Sequence, residues 1–233
     1  MATSYTFKPI VTNGLVLYLD SSNSKSYNGG TYSYSLKDNY LGQLINGVGY
    51  DNSLTFDGVN DFINFDDDVR LDGFSEYTLS TWVYMNSLSG TYNAIFHKWG
   101  SGGYAYFLGI WNGFGSNNQV VVGENNFTNT GGETGAYGTV SNSSLSINVW
   151  YNITYTSTIS NRKCYINGIL DKSDVNNWRG GNIINSSYNL KIGTHADAPE
   201  YTNCKINSIA IYNRALSDDE VLQNYNALKN KFI

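Results

Sequence analysis

Few residues in this chain are placed to do chemistry, and their spacing limits what that chemistry could be. Hydrolysis of a glycosidic bond needs two carboxylates about 5 to 9 Å apart across the scissile bond. Asp66, Asp67 and Asp68 are consecutive, so their side chains diverge. They suit a solvated loop, with calcium binding as the alternative use. Glu124 and Glu133 lie in Gly- and Asn-rich sequence without a second acid at useful spacing. His97 and His195 are the only histidines, and neither stands in a nucleophile-elbow context. Two cysteines, Cys164 and Cys204, are too few for a disulfide framework or a zinc cage. They read as reduced core thiols or as a bridge between neighbouring strands. The expectation is a protein that is not an enzyme and carries no cofactor.

Binding chemistry is better represented. Trp99, Tyr104, Tyr106 and Trp111 flank the turn Gly100-Ser101-Gly102-Gly103, with His97 just upstream. Exposed aromatic rings stack on sugar faces, while Asn- and Gly-rich loops supply hydrogen bonds. His97, Trp99, Tyr104, Tyr106 and Trp111 are therefore the candidate ligand-binding residues. Strand alternation puts Tyr104, Tyr106 and Leu108 on one face and Ala105, Phe107 and Gly109 on the other, so part of the group must be core. A bound sugar is expected to touch at least one of Trp99, Tyr104 or Trp111. Shallow polar sites bind weakly, so useful attachment would come from many copies acting together.

These residues must be positioned by a β-rich framework. Aromatics reach 15% of the 233 residues, 20 of them Tyr, while charged residues make up only 14%. Solubility therefore rests on Asn, Ser, Thr and Gly. The net charge is −5, without a run of Lys or Arg, so nucleic acid and anionic membrane surfaces are unexpected partners. No stretch approaches the roughly 18 apolar residues of a membrane helix. The first twenty residues hold no continuous hydrophobic export segment, which gives the expectation of synthesis in a host cytoplasm without a signal peptide.

Short apolar runs punctuated by Gly, Asn and Asp predict strands at Leu15–Leu19, Ser53–Phe56, Phe62–Phe65, Tyr77–Met85, Ala94–Lys98, Tyr104–Trp111, Val120–Gly123, Trp150–Thr158, Lys163–Ile166, Leu190–Gly193 and Lys205–Tyr212. Residues 21–50 lack either period and are expected to form a surface excursion with at most one short strand. Asn167-Gly168 predicts a type I′ hairpin. Asp57-Gly58 and Asn60-Asp61 bracket Val59 as a tight bend, which makes Asp57 and Asp61 turn-formers. Ser217-Asp218-Asp219-Glu220 forms a capping box for one helix near Asp218–Asn230, with Val221, Leu222, Tyr225 and Leu228 as its apolar stripe. The fold class expected is all-β, a two-sheet antiparallel jelly-roll sandwich, as one domain over 1–233. An arm covers 1–13 and the helix over 217–230 packs on the outside.

Four segments taken together resemble the laminin-G-like, concanavalin A-like lectin/glucanase superfamily. They are Leu54-Thr55-Phe56-Asp57-Gly58-Val59-Asn60-Asp61-Phe62-Ile63, Tyr77-Thr78-Leu79-Ser80-Thr81-Trp82-Val83, Lys163-Cys164-Tyr165-Ile166-Asn167-Gly168 and Ile211-Tyr212-Asn213-Arg214-Ala215-Leu216-Ser217. The opening Gly14-Leu15-Val16-Leu17-Tyr18-Leu19-Asp20 is similar to the start of such modules in bacteriophage virion proteins. The resemblance implies a binding or structural role on a virion surface, as a head decoration or fibre-associated adhesin. Its expected partners are capsid or tail proteins, a cell-surface glycan and further copies of itself. A bacterial lectin-like module is the alternative, and a glycoside hydrolase or lyase of the same fold is the next. The superfamily often binds calcium, with an acid just before the Ile-Tyr-Asn-Arg segment. Here Asn207 and Ser208 hold that place, which leaves Asp20 and Asp38 as candidate ligands for a structural calcium ion.

The helix stripe must cover apolar surface elsewhere in the chain. Truncation at Leu216 is therefore expected to expose a hydrophobic seam, lowering both solubility and the melting temperature. Unchanged melting of the truncated chain would contradict that.

Overall fold

The computed structural model describes residues 8–100, 103–113, 116–127, 133–174, 181–195 and 200–232. Among them the strands are β1 (Leu15–Asp20), β2 (Tyr32–Tyr34), β3 (Leu41–Ile45), β4 (Gly49–Tyr50), β5 (Leu54–Asp57), β6 (Phe62–Phe65), β7 (Tyr77–Met85), β8 (Tyr92–Gly100) and β9 (Gly103–Gly113). They continue with β10 (Ser116–Phe127), β11 (Glu133–Ser144), β12 (Trp150–Ser157), β13 (Arg162–Ile166), β14 (Ile169–Asp174), β15 (Leu190–Ile192), β16 (Thr194–His195), β17 (Glu200–Tyr201) and β18 (Asn203–Tyr212). A single α-helix, α1 (Asp218–Leu228), follows. No described helix is long and apolar enough to cross a membrane.

All pairings are antiparallel and most strands fall into two sheets. The first runs β14-β13-β12-β7-β18-β5-β4, with β1 also on β18; the second runs β11-β10-β9-β8-β15-β6-β3-β2. The alternation in β7 explains why two sheets must stack. Tyr77, Leu79, Val83 and Met85 point inward and join the inter-sheet core with Phe56, Ile63, Phe65, Phe96, Leu108 and Ile153. Thr78, Ser80, Trp82 and Tyr84 point outward. A jelly-roll sandwich with one helix outside it is therefore the fold, as expected.

Local chemistry follows the sequence at several turns. Asn167 and Gly168 take φ of 53° and 76°, the two positive angles a type I′ hairpin requires. Asp57 Oδ1 accepts from the Val59 amide at 2.7 Å, and Asp61 Oδ2 accepts from the Asp57 amide at 3.1 Å, so both acids hold the bend. Cys164 on β13 and Cys204 on β18 are separate buried thiols with β12 and β7 between their strands, which removes the bridge alternative. Burial pushes both thiols upward in pKa.

Two expectations need correction. Residues 21–50 carry three short strands rather than at most one; β3 pairs with both β2 and β6, and it buries Gly42 while exposing Leu41, so its apolar pattern does not mark its faces. The helix stripe is also different. Leu222 is 43% exposed, whereas Asn224 is buried, accepting from the Val11 amide and donating to the Tyr212 hydroxyl. Ser217 does cap the helix, in a complete capping box with Glu220.

The acids at 66–68 lie in a largely exposed loop, as expected, and two of them are also ion-paired. Lys98 is fully buried, and its Nζ donates to Asp67 Oδ1 (2.6 Å), Ser186 O (3.0 Å) and Tyr188 O (2.5 Å), with Asp72 Oδ2 at 3.2 Å. Asp68 caps the short 3-10 turn Val69–Leu71 and pairs with Arg70. The ammonium thus fastens two long loops to β8 where four oxygens would otherwise face one another. Removing one partner of a buried ion pair strands the other charges, at a cost of about 3 to 5 kcal/mol. Lys98→Met is expected to lower the urea-unfolding free energy by about 3 kcal/mol or more. A loss within about 0.5 kcal/mol, the scatter of ordinary surface changes, would show that these loops are held by other contacts.

Candidate functional site

The site is built where one long strand serves two short ones. Along one edge β18 pairs with β7 from Cys204 to Tyr212. Along its other edge β5 takes 203–206 and β1 takes 208–212, so Asn207 falls at the handover. The register against β7 slips there, with Ile206 opposite Val83 and Ser208 opposite Trp82. This is a β-bulge, which inserts one residue and re-aims it. It keeps Ile206, Ile209 and Ile211 in the core while freeing Asn207 from the ladder. The Asn207 carbonyl accepts from the Ser21 amide (2.8 Å), and its side-chain amide donates to Asn52 O (2.9 Å). Its Oδ1 is buried without a hydrogen-bond partner among the described residues.

A cleft of about 750 Å³ opens at this junction, lined by Asp20, Asp51, Asn52, Ser53, Trp150, Lys205, Asn207, Lys231 and Phe232, among others. Two ion pairs border it. Lys231 Nζ reaches both oxygens of Asp20 (2.9 and 2.8 Å) and Ser22 Oγ (2.8 Å), and Lys205 Nζ reaches Asp51 Oδ2 at 3.0 Å. Two aromatic rings form the apolar wall. Phe232 stacks on buried Trp82 with centroids 4.2 Å apart and meets Trp150 at 4.7 Å, while Trp150 also leans on Tyr84 at 5.6 Å. Helix α1 sets this wall, since Tyr225 also stacks on Trp82 at 5.6 Å and the chain then turns to deliver Lys231 and Phe232.

The aromatic residues singled out by sequence lie elsewhere. His97, Trp99, Tyr106 and Trp111 are all buried, at 0%, 5%, 0% and 9% exposure, and so offer no free ring face for stacking. Trp99 and Trp111 pack with Ala94, Phe107 and Val121 in a separate cluster, while Tyr106 turns into the inter-sheet core beside Tyr77 at 5.6 Å. The Tyr104 side chain lies outside the described residues. Composition identified the aromatics, but which sheet face is covered depends on segments distant in sequence. Trp150 was legible only as a strand start, and Phe232 carried no signal.

The candidate calcium ligands are not brought together. Asp20 is held by Lys231, and Asp38, at φ 62°, lies 3.7 Å from Arg70 and 3.8 Å from Lys37. Among the described residues no group of three or more His, Cys, Asp or Glu side chains could hold a metal ion. Glu124, which by sequence lacked a partner, accepts from the Tyr77 and Tyr155 hydroxyls, the latter at 2.9 Å. Burial pushes the Tyr155 phenol far upward. Here Tyr77, Tyr155 and Glu124 are at most 2% exposed between the sheets, where a substrate has no access.

Residues 56–222 match the family model described as the Concanavalin A-like lectin/glucanases superfamily. No curated protein matches the sequence. Among solved structures, Trypanosoma rangeli sialidase is similar at 17% identity and a TM-score of 0.67, over 94% of this chain and 34% of the sialidase. The receptor-binding domain of botulinum neurotoxin C/D mosaic serotype is similar at 17% identity and a TM-score of 0.66, over 92% of this chain and 51% of that one. Domain 4 of AbnA, an extracellular arabinanase from Geobacillus stearothermophilus solved in complex with arabinotriose, gives 16% identity and a TM-score of 0.59, over 91% of this chain and 98% of that domain. The chain spans about a third of the sialidase's length and half of the toxin domain's. At these identities the likeness is one of fold.

His97 carries a consequence for pH. Its ring sits edge-on to Phe107 and His195, and neither ring nitrogen has a hydrogen-bond partner among the described residues. Burial first, and then the charges of His195 and Lys191, hold its pKa down to about 3. An unfolded histidine protonates near 6.5, so between these values the unfolded chain binds the extra proton. The stabilisation is complete above pH 6.5 and declines as pH falls toward 3, by up to about 1.4 kcal/mol per unit. His97→Phe is expected to flatten that slope in urea titrations between pH 6.5 and 4. An unchanged slope would mean that His97 is not the buried neutral base.

Proposed function

The chain belongs to the concanavalin A-like lectin/glucanases superfamily, and on that footing we propose that it is a non-catalytic carbohydrate-binding module whose sugar site is the cleft at Asn207. One observation carries this: a buried hydrogen-bond acceptor without a partner lines a polar cleft that is walled by two aromatic rings. Sugars present hydroxyl donors around an apolar C–H face, and aromatic rings with amides are the matching surface. The arabinanase domain in complex with arabinotriose and the toxin receptor-binding domain have similar folds and support the reading.

The setting we propose is a bacteriophage virion surface. The protein would be made in the host cytoplasm, anchored to capsid or tail proteins and present in many copies, as a head decoration or fibre-associated adhesin. The support is the resemblance of Gly14–Asp20 to the start of such modules in bacteriophage virion proteins. A weak single site is enough there, because copies on one particle bind together.

A glycan array probed with the monomer and with a multivalent display of it tests the site. Binding should appear with the multivalent form. Trp150→Ala and Phe232→Ala should each weaken it about tenfold, the equivalent of losing one ring contact of roughly 1 kcal/mol or slightly more. Binding that survives both substitutions, in folded protein, places the sugar elsewhere. Mass spectrometry of purified particles tests the virion setting, which fails if the chain is absent from them.

A further inference from the structure

Resting on that reading of the cleft, we infer that its ligand is a neutral, hydroxyl-rich sugar and that carboxylated, sialylated and sulfated sugars are rejected. The charges of the cleft support this first. Its lining holds two lysines and two aspartates, and each ammonium lies 2.8 to 3.0 Å from a carboxylate oxygen, so the charges of the lining are paired and balance one another. Lys231 is not free to turn toward a ligand. Its partner Asp20 has a side chain only 11% exposed, and withdrawing the ammonium would leave a nearly buried carboxylate unpaired. Asp20 is itself fixed by Ser22 Oγ at 2.7 Å and the Ser22 amide at 3.2 Å. An anionic sugar would therefore give up its hydration to meet paired lysines and two like-charged aspartates.

The second support is the kind of group left unsatisfied. Asn207 Oδ1 is an acceptor on a residue 4% exposed, and its amide is already committed to Asn52 O. An unpartnered acceptor asks for a donor. A sugar hydroxyl donates a proton to it, and a carboxylate or sulfate group cannot take that place. Across the cleft the ring faces of Trp150 and Phe232 offer apolar surface, which suits the C–H face of a pyranose or furanose.

The test is a glycan array followed by calorimetry on matched pairs: lactose against sialyllactose, and methyl-esterified tetragalacturonate against tetragalacturonate. Neutral members are expected to bind at least tenfold more tightly than their acidic counterparts, with little dependence on salt. Asp51→Asn, at an exposed side chain outside the core, unpairs Lys205 and should raise affinity for the acidic members several-fold. Preferential binding of acidic glycans that is lost in Trp150→Ala would overturn the neutral-sugar inference and leave the glycan site standing. Silence from every glycan, neutral and acidic, would remove the glycan site and this inference together.

Discussion

The structure depends on one long strand, β18, having to satisfy two short strands on the same edge. β5 and β1 cannot both continue past Asn207, so the ladder passes from one to the other there, and a bulge absorbs the extra residue. Without the bulge, Ser208 to Tyr212 would slip by one position, and Ile209 and Ile211 would leave the core. The same bulge releases the Asn207 backbone carbonyl from the ladder and re-aims its side-chain amide. The first is taken by Ser21 and the second by Asn52, which brings the loops after β1 and before β5 to the rim of one cleft. Packing and site thus share a cause.

The opposite wall comes from the helix, whose position follows from the outer face of the first sheet. Trp82 is only 1% exposed although it points away from the inter-sheet core, because Tyr225 and Phe232 stack on it. Ammonium groups hold the remaining joints. Lys231 fastens the segment after the helix to Asp20, and Lys98 gathers Asp67, Asp72 and two carbonyls inside the fold.

Sequence legibility divides along physical lines. Phe62–Phe65 and Tyr77–Met85 were legible to the residue because burial alternates along the first and the second is an apolar run buried along almost its whole length. The helix was legible from its capping box, and the hairpin at Asn167-Gly168 from turn chemistry. β11, rich in Gly, Ser, Thr and Asn, was not, since its strand character comes from pairing with β10. The aromatic group around Trp99 and Trp111 misled for a related reason: alternation separates two faces but does not say what covers each. Position 207 drew attention only because a family resemblance expected an acid near it. That its side chain is free of the ladder follows from where β5 ends and β1 lies, which no local window contains.

The central claim is that the handover at Asn207 makes a sugar site. Its most direct test is a proton–nitrogen NMR titration of the labelled chain with a neutral oligosaccharide identified on the array. The account predicts that the Asn207 side-chain amide and the Trp150 indole N–H shift first and together, while the indole signals of Trp99 and Trp111 stay in place. Shifts confined to Trp99 and Trp111, with Asn207 and Trp150 unmoved, would contradict it.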